Sequence, residues 1–338
     1  CTVIAIGGYH TKPLEPENIA LWCSQIRAKG YIGRTLIYIG DETDDFEGIR
    51  AKARTIRQYW PDLRIMVGGS KPRPELIGYV DVWDPITSGG SVYDFDPVSA
   101  AQAVYRGEEV FWYTCIGPLT PYANVCNNDP LPAIRALWWQ AWKYGVTGWE
   151  YWAVNYWEPN IELSQGDEPW PASRTDQWGS RSYKWSNGDG LMIYPGPKGQ
   201  PLACNRLSVK RDAIEDWEIL FQLGRAVELA ERKMPDQKDP ALAVTLDHAR
   251  KLLAVPADIT TDLTHFSCDP KVYLDIRTEM YDVLSQLRKA LGGDTVDVYV
   301  SEWIGRRDRW MQRQFESRVA NTPRDATEAA TQPTSSLD

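Results

Sequence analysis

Apolar runs too short for helices alternate with amphipathic helical patterns through the first 154 residues of this chain of 338. The runs lie at 2–6, 36–39, 63–67, 79–83, 109–116 and 148–154, and the helical patterns at 16–29, 46–59, 98–106 and 131–144. Their β-branched and aromatic content is that of strands buried on both faces. Strands and helices in this repeating register, with short connections, read as βα units of a parallel sheet. The six runs fall short of the eight strands of a (β/α)₈ TIM-type barrel. The chain opens on Cys1 and runs straight into Val3-Ile4-Ala5-Ile6, so the expectation is a barrel entered in mid-domain, its first strands upstream. An open doubly wound sheet is the competing architecture, without the G-x-G-x-x-G turn of a dinucleotide site.

After the last run the pattern changes twice. Residues 155–200 are irregular and rich in Trp, Gly, Pro and Asp, and a connection this long inside a domain is usually functional. From Cys204 onward long helices follow, at about 204–233, 241–253, 272–291 and 298–318. The third carries Tyr273, Ile276, Met280, Val283, Leu287 and Leu291 on one stripe, which reads as core. The expected organisation is a barrel domain over 1–232, partial at its N-terminus, a helical extension over 233–320 packed on it, and a disordered tail over 321–338.

Chemistry in parallel sheets collects at the C-terminal ends of strands. One run, Leu36-Ile37-Tyr38-Ile39-Gly40, ends there in two adjacent carboxylates, Asp41 and Glu42. Where a strand gives way to a loop, neighbouring side chains can turn toward one mouth. Paired carboxylates there fit one acid kept protonated beside one kept ionised, as in glycosidases. Locally the weight lies with a solvated loop, because Asp44, Asp45 and Glu47 follow and read as helix N-terminal acids.

Composition narrows the partners. A net charge of −9 offers no basic surplus for nucleic acid. No run approaches the length of a membrane helix. Sixteen Trp and seventeen Tyr are more than packing alone asks for, and planar aromatics stack on sugars. Six cysteines and three scattered histidines (His10, His248, His265) give no metal-ligand spacing, so no zinc site is expected, and whether Cys115 and Cys126 bridge a loop stays open.

An ordered set of motifs then resembles one family. It runs from Asp41-Glu42 through Val80-Asp81-Val82-Trp83, Trp112-Tyr113-Thr114, Asn124, Pro130-Leu131 and Arg135 to Gly148-Trp149-Glu150-Tyr151-Trp152 with Asn155 and Trp157. It closes on Gly188-Asp189-Gly190, Tyr194-Pro195-Gly196, Arg206-Leu207 and Arg211-Asp212…Glu215-Asp216-Trp217-Glu218. Together these resemble the catalytic domain of glycoside hydrolase family 123, over about residues 15–225. The resemblance implies a (β/α)₈ barrel, usually preceded by a β-sandwich region. It also implies retaining release of terminal β-linked N-acetylgalactosamine, with the substrate's 2-acetamido oxygen as nucleophile. Glu42 would be the acid/base and Asp41 would orient and stabilise the acetamido group.

Trp83, Tyr113, Tyr151, Trp152, Asn155 and Trp157 fall at or just after strand ends and are the candidate sugar contacts. Packing competes for each aromatic, and turn capping competes for Asn155. Arg135 reads as a structural ion pair, the Arg211 to Asp216 segment as intrahelical pairs, and Asp189 as a turn former. The family usually has Pro after the acid where this chain has Thr43. The resemblance implies a carbohydrate substrate, no cofactor, and export to the periplasm or outside the cell; no protein partner is evident. Two readings compete: a hexosaminidase for another 2-acetamido sugar, and a non-catalytic carbohydrate-binding relative or inactive fragment.

Overall fold

The structure is a computed structural model that describes residues 4–6, 16–91, 93–155, 188–196, 200–234 and 239–323. His10, Trp157, most of the irregular 155–200 region and residues 324–338 of the tail lie outside the described residues. The chain divides into two compact units, Cys1–Trp112 with Arg307–Asp338, and Tyr113–Arg306.

The first unit carries strands β1 (Ile4–Ile6), β2 (Thr35–Asp41), β3 (Arg64–Gly68), β4 (Val82–Asp84) and most of β5 (Glu109–Tyr113). Helices α1 (Pro16–Ala28), α2 (Phe46–Tyr59) and α3 (Pro97–Tyr105) lie between them in sequence. Each strand pairs in parallel with the next, so spatial order equals chain order. That excludes the doubly wound alternative for these strands, whose order must reverse at a switch point. The fold is α/β, with parallel strands wound in sequence order and helices at the C-terminal end.

Leu36, Met66, Val82 and Phe111 cluster on one face of this sheet, with Tyr38 packed against them. Helix α2 buries Ile49, Ala53 and Ile56, and its Ile49 lies against Gly40 on the other face. Asp45 caps α2 by accepting from Gly48 N at 2.9 Å, and Asp96 caps α3 by accepting from Ser99 N at 2.8 Å.

Asp81, just before β4, is 1% exposed and accepts from Arg57 Nη2 at 2.5 Å, Ile65 N at 2.8 Å and Arg318 Nε at 3.0 Å. Removing one member of such a buried pair costs about 3–5 kcal/mol. Arg318 belongs to α8 (Gly293–Asn321), whose residues from Arg307 onward fall in this first unit. There Phe315 lies under Arg57, and Thr322 Oγ1, just past the helix, donates to Gly78 O.

The second unit holds α4 (Pro132–Tyr144), β6 (Gly148–Glu150), the antiparallel pair β7 (Ile193–Pro195) and β8 (Pro201–Ala203), then α5 (Asn205–Lys233), α6 (Pro240–Leu253) and α7 (Pro270–Leu291). The α7 stripe expected from sequence is buried throughout. Beneath it Asp216 of α5, fully buried, receives Arg135 of α4 at 2.6 and 2.8 Å and Arg277 of α7 at 2.6 Å. Arg135 is thus the structural ion pair expected. Asp216 corrects the intrahelical expectation: it faces the interior of the bundle, whereas Arg211 stays on the surface with Asp212 and Glu215. Cys115 and Cys126 are not bridged, and the Cys126 thiol donates to the Cys115 carbonyl at 3.7 Å.

Candidate active site

In the first unit the site begins with an irregularity in β2. Tyr38 opposes Met66 on β3, but Gly40 opposes Val67 and Asp41 opposes Gly68, so Ile39 is an extra residue without a partner on β3. This is a β-bulge, and a bulge re-aims the side chains that follow it. In regular alternation Asp41 would share a face with Ile37 and Ile39. The inserted residue moves it to the face of Tyr38 and Met66, away from α2. Lys52 of α2 supports the bulge by donating to the Ile39 carbonyl at 3.0 Å.

On that face the Tyr38 hydroxyl donates to Asp41 Oδ1 at 2.6 Å. The phenol stands where a side chain on Gly68 would be: an added Cβ there would lie 1.8 Å from the Tyr38 oxygen. Gly68 also opposes Asp84 of β4, so one rung of the sheet reads Asp41, Gly68, Asp84. Asp84 is fully buried and its backbone carbonyl accepts from Gly69 N at 2.9 Å.

Glu42 follows with φ of +42°, a left-handed conformation that a β-carbon disfavours. Strain of this kind costs about 1–3 kcal/mol and gathers at functional positions. Two contacts hold it. Glu42 N donates to Gly68 O at 3.2 Å, and the Glu42 side chain lies over Gly69, where an added Cβ would come within 2.3 Å of its Cγ. The carboxylate side chain is exposed while Asp41 is half-buried. Thr43 accepts from Asp45 N at 3.1 Å and so ties the pair to the cap of α2.

Trp83 is placed differently from its sequence-based reading as a sugar contact. It opposes Val67 and Val110, is fully buried, and its indole N–H donates to Glu108 at 2.8 Å. Trp83 therefore belongs to packing. The aromatic signal at a strand end was real, but the strand continues one residue further, to Asp84.

The second unit holds the other candidates. Tyr113 at the end of β5 is 7% exposed. Tyr151 and Trp152, just past β6, converge on one buried carboxylate: Tyr151 Oη donates to Asp189 Oδ1 at 3.1 Å, and Trp152 Nε1 donates to Oδ1 and Oδ2 at 3.0 and 3.1 Å. The Tyr151 oxygen also accepts from Gly190 N at 2.7 Å. Burial raises Asp189 above the ordinary carboxylate range, against the hydrogen bonds it receives, and burial raises Tyr151 further. Trp149 stacks on Tyr151 with ring centroids 5.1 Å apart, and Lys210 sits 3.7 Å over the Trp149 ring. Burial lowers Lys210 to about 8.

Asn155 bridges to Leu191, and the 188–196 segment is fixed by buried Arg206, which donates to the carbonyls of Val125, Gly188 and Leu191. Trp152 keeps 40% of its surface exposed although its N–H is taken, whereas Tyr113 is buried and Tyr151 half-buried. Asp189 is more than the turn former expected from Gly188-Asp189-Gly190. Its partners lie far back in sequence, and only the fold reveals them.

Among the described residues no group of His, Cys, Asp and Glu stands together in a way that could hold a metal ion, and no helix is long and apolar enough to cross a membrane.

The sequence profile described as "Glycoside hydrolase 123, catalytic domain" matches residues 17–223, more than half of the chain. No curated protein matches. Among solved structures, the chain is similar to a family 123 glycoside hydrolase from Clostridium perfringens, described in a study of glycolipid glycan hydrolysis. The identity is 15% and the TM-score 0.45, over 88% of this chain and 48% of that one. The chain thus spans under half the length of that protein. The matched span contains both carboxylates at the end of β2 and every other candidate site residue, and the chain belongs to glycoside hydrolase family 123.

Proposed function

We infer that the chain is the catalytic part of a retaining glycosidase that releases terminal β-linked N-acetylgalactosamine from glycans or glycolipids. The observation that carries this reading is the bulge at Ile39, which turns Asp41 to the face of Tyr38 and sets it beside an exposed Glu42 at the end of a parallel strand. Family membership supports it. Strand order supports the finer fold expectation, a (β/α)₈ barrel of which these strands are part.

The chemistry proceeds in two displacements. The acetamido oxygen of the sugar bonds to the anomeric carbon as the glycosidic C–O bond breaks, and Glu42 gives its proton to the leaving oxygen. Positive charge develops on the acetamido nitrogen, whose N–H is held by the Asp41 carboxylate. Glu42, now ionised, then takes a proton from water as that water attacks the anomeric carbon and the ring opens. Two inversions give net retention. Adjacent residues suit this division, because the acid reaches the glycosidic oxygen while its neighbour reaches the acetamide of the same sugar. Trp152, the most exposed of the described aromatic candidates, is the leading sugar-stacking surface. Tyr113, Tyr151, Asn155 and Trp157 are the remaining proposed contacts.

The test is release of 4-nitrophenol from the β-N-acetylgalactosaminide and the β-N-acetylglucosaminide, with the anomer formed first read by NMR. The expected result is turnover of the galactosaminide with the β-anomer formed first, and a loss of about 10²- to 10⁴-fold in Glu42→Gln. Turnover of the glucosaminide alone would replace the epimer assignment. Binding without turnover, indifferent to Glu42→Gln, would make the chain a carbohydrate-binding relative.

A further inference from the structure

Asp41 must do more than be present. To hold a developing positive charge on the acetamido nitrogen, one of its oxygens has to point at the N–H throughout the first displacement. An aspartate at the end of a strand turns about its terminal torsion with little resistance. We propose that Tyr38 is the positioning residue that fixes this orientation, and that Gly68 is glycine to make room for it. The proposal rests on the substrate-assisted reading above.

Four observations converge. The Tyr38 ring packs against the cluster of Leu36, Met66, Val82 and Phe111, so apolar contacts fix its rotamer. The hydroxyl at its tip donates to Asp41 Oδ1 at 2.6 Å, a short bond of the charge-assisted kind. The bulge at Ile39 is what brings Asp41 onto Tyr38's face; without it the two side chains would point to opposite sides of the sheet. Finally, the Tyr38 oxygen would lie 1.8 Å from a Cβ on Gly68, so any other residue at that position displaces the phenol. Tyr38 engages Oδ1 and so sets the plane of the carboxylate that is to meet the acetamido N–H. Positioning of this type acts on the cyclised state more than on the bound sugar, because charge on nitrogen exists only after the acetamido oxygen attacks.

The experiment compares the unsubstituted chain with Tyr38→Phe, Gly68→Ala and Asp41→Asn. Each is titrated calorimetrically with two probes: N-acetylgalactosamine, whose acetamide is open, and the fused methylthiazoline of the same sugar, a stable analogue of the cyclised intermediate. Turnover of the aryl galactosaminide is measured alongside. Tyr38→Phe should weaken thiazoline binding about 10- to 100-fold and lower kcat by a similar factor, the scale expected for a misplaced catalytic group. N-acetylgalactosamine affinity and KM should change less than about threefold. Gly68→Ala should show the same split although it removes no functional group. Equal weakening of both probes, or unchanged thiazoline affinity and kcat in Tyr38→Phe, would overturn the positioning role. Failure of the unsubstituted chain to bind thiazoline or turn over substrate would instead sink the proposed activity, and the role of Tyr38 with it. A thiazoline effect confined to Asp41→Asn would leave the activity standing and remove Tyr38 from it.

Discussion

The end of β2 and the segment after β6 both present candidate sugar-site residues, and they are built in opposite ways. At the first, backbone geometry does the placing: a bulge at Ile39, a left-handed Glu42 and two glycines, Gly68 and Gly69, that leave space for side chains. At the second, a buried carboxylate does it: Asp189 draws in Tyr151 and Trp152 through their polar atoms. The first arrangement stores strain and leaves one carboxylate exposed, as chemistry requires. The second is held by hydrogen bonds to a buried carboxylate and suits a surface that holds its shape. Substitutions should therefore change activity more than stability in the first region and stability more than chemistry in the second.

Gly69→Ala should break the first region most severely. A Cβ 2.3 Å from Glu42 Cγ and 2.7 Å from Glu42 N cannot coexist with the observed conformation. Aryl glycosidase activity should fall at least about 100-fold, with stability reduced by about 1–2 kcal/mol because Gly69 itself has positive φ. Retention of activity would show that Glu42 does not work from this conformation.

In the second region Asp189→Ala strips the Tyr151 hydroxyl and the Trp152 N–H of a shared acceptor. Each unsatisfied group costs about 1–3 kcal/mol, so urea unfolding should report a loss of at least about 2 kcal/mol. KM should rise several-fold with kcat little changed, and a fall in kcat alone would contradict the division between the regions.

A smaller effect should follow Lys52→Met, which removes the donor to the Ile39 carbonyl while keeping the aliphatic stem. Loosening of the bulge should lower kcat about 10-fold without a comparable change in unfolding free energy. Parallel loss of stability would assign Lys52 to packing.

The last effect concerns pH and falls on stability alone. Burial raises the carboxyl of Asp129, in the second unit, to about 6 from 3.8. The folded chain therefore binds this proton more tightly than the unfolded chain. The resulting stabilisation is complete below about pH 4 and is lost as pH rises through 6. Asp129→Asn should flatten that slope in thermal melts between pH 4 and 6, and an unchanged slope would place its origin elsewhere.

The winding of the fold was legible in sequence because burial on both faces writes continuous apolar runs, and helices between them write a different period. The position of Asp41 and Glu42 was legible for the same reason: Gly40 ends the run and the carboxylates follow. Their common seat was not. It depends on the register of β2 against β3, a pairing between residues about 27 apart that leaves no local signature. Gly68-Gly69 read only as the end of a strand, although each glycine makes room for a residue of β2 or its loop. Trp83 misled because an aromatic one residue before a strand end still obeys alternation and turns inward. Asp189 looked like a turn because it is in one, and its burial comes from partners 37 and 38 residues away. The final turns of α8 likewise gave no sign in sequence that Arg318 pairs with Asp81.

The most direct test of the central claim, that the two neighbouring carboxylates divide the work, is leaving-group dependence. Rates are measured for aryl β-N-acetylgalactosaminides spanning good and poor leaving groups, with the unsubstituted chain, Glu42→Gln and Asp41→Asn. Glu42→Gln should lose about 10²- to 10⁴-fold on the poor leaving groups, which need a proton, and far less on the 2,4-dinitrophenyl glycoside, which does not. Asp41→Asn should lose by one common factor across the series, because attack by the acetamido oxygen accompanies the departure of every leaving group. The same loss for both variants on every substrate would contradict the division of roles, and full activity in both would remove the pair from catalysis.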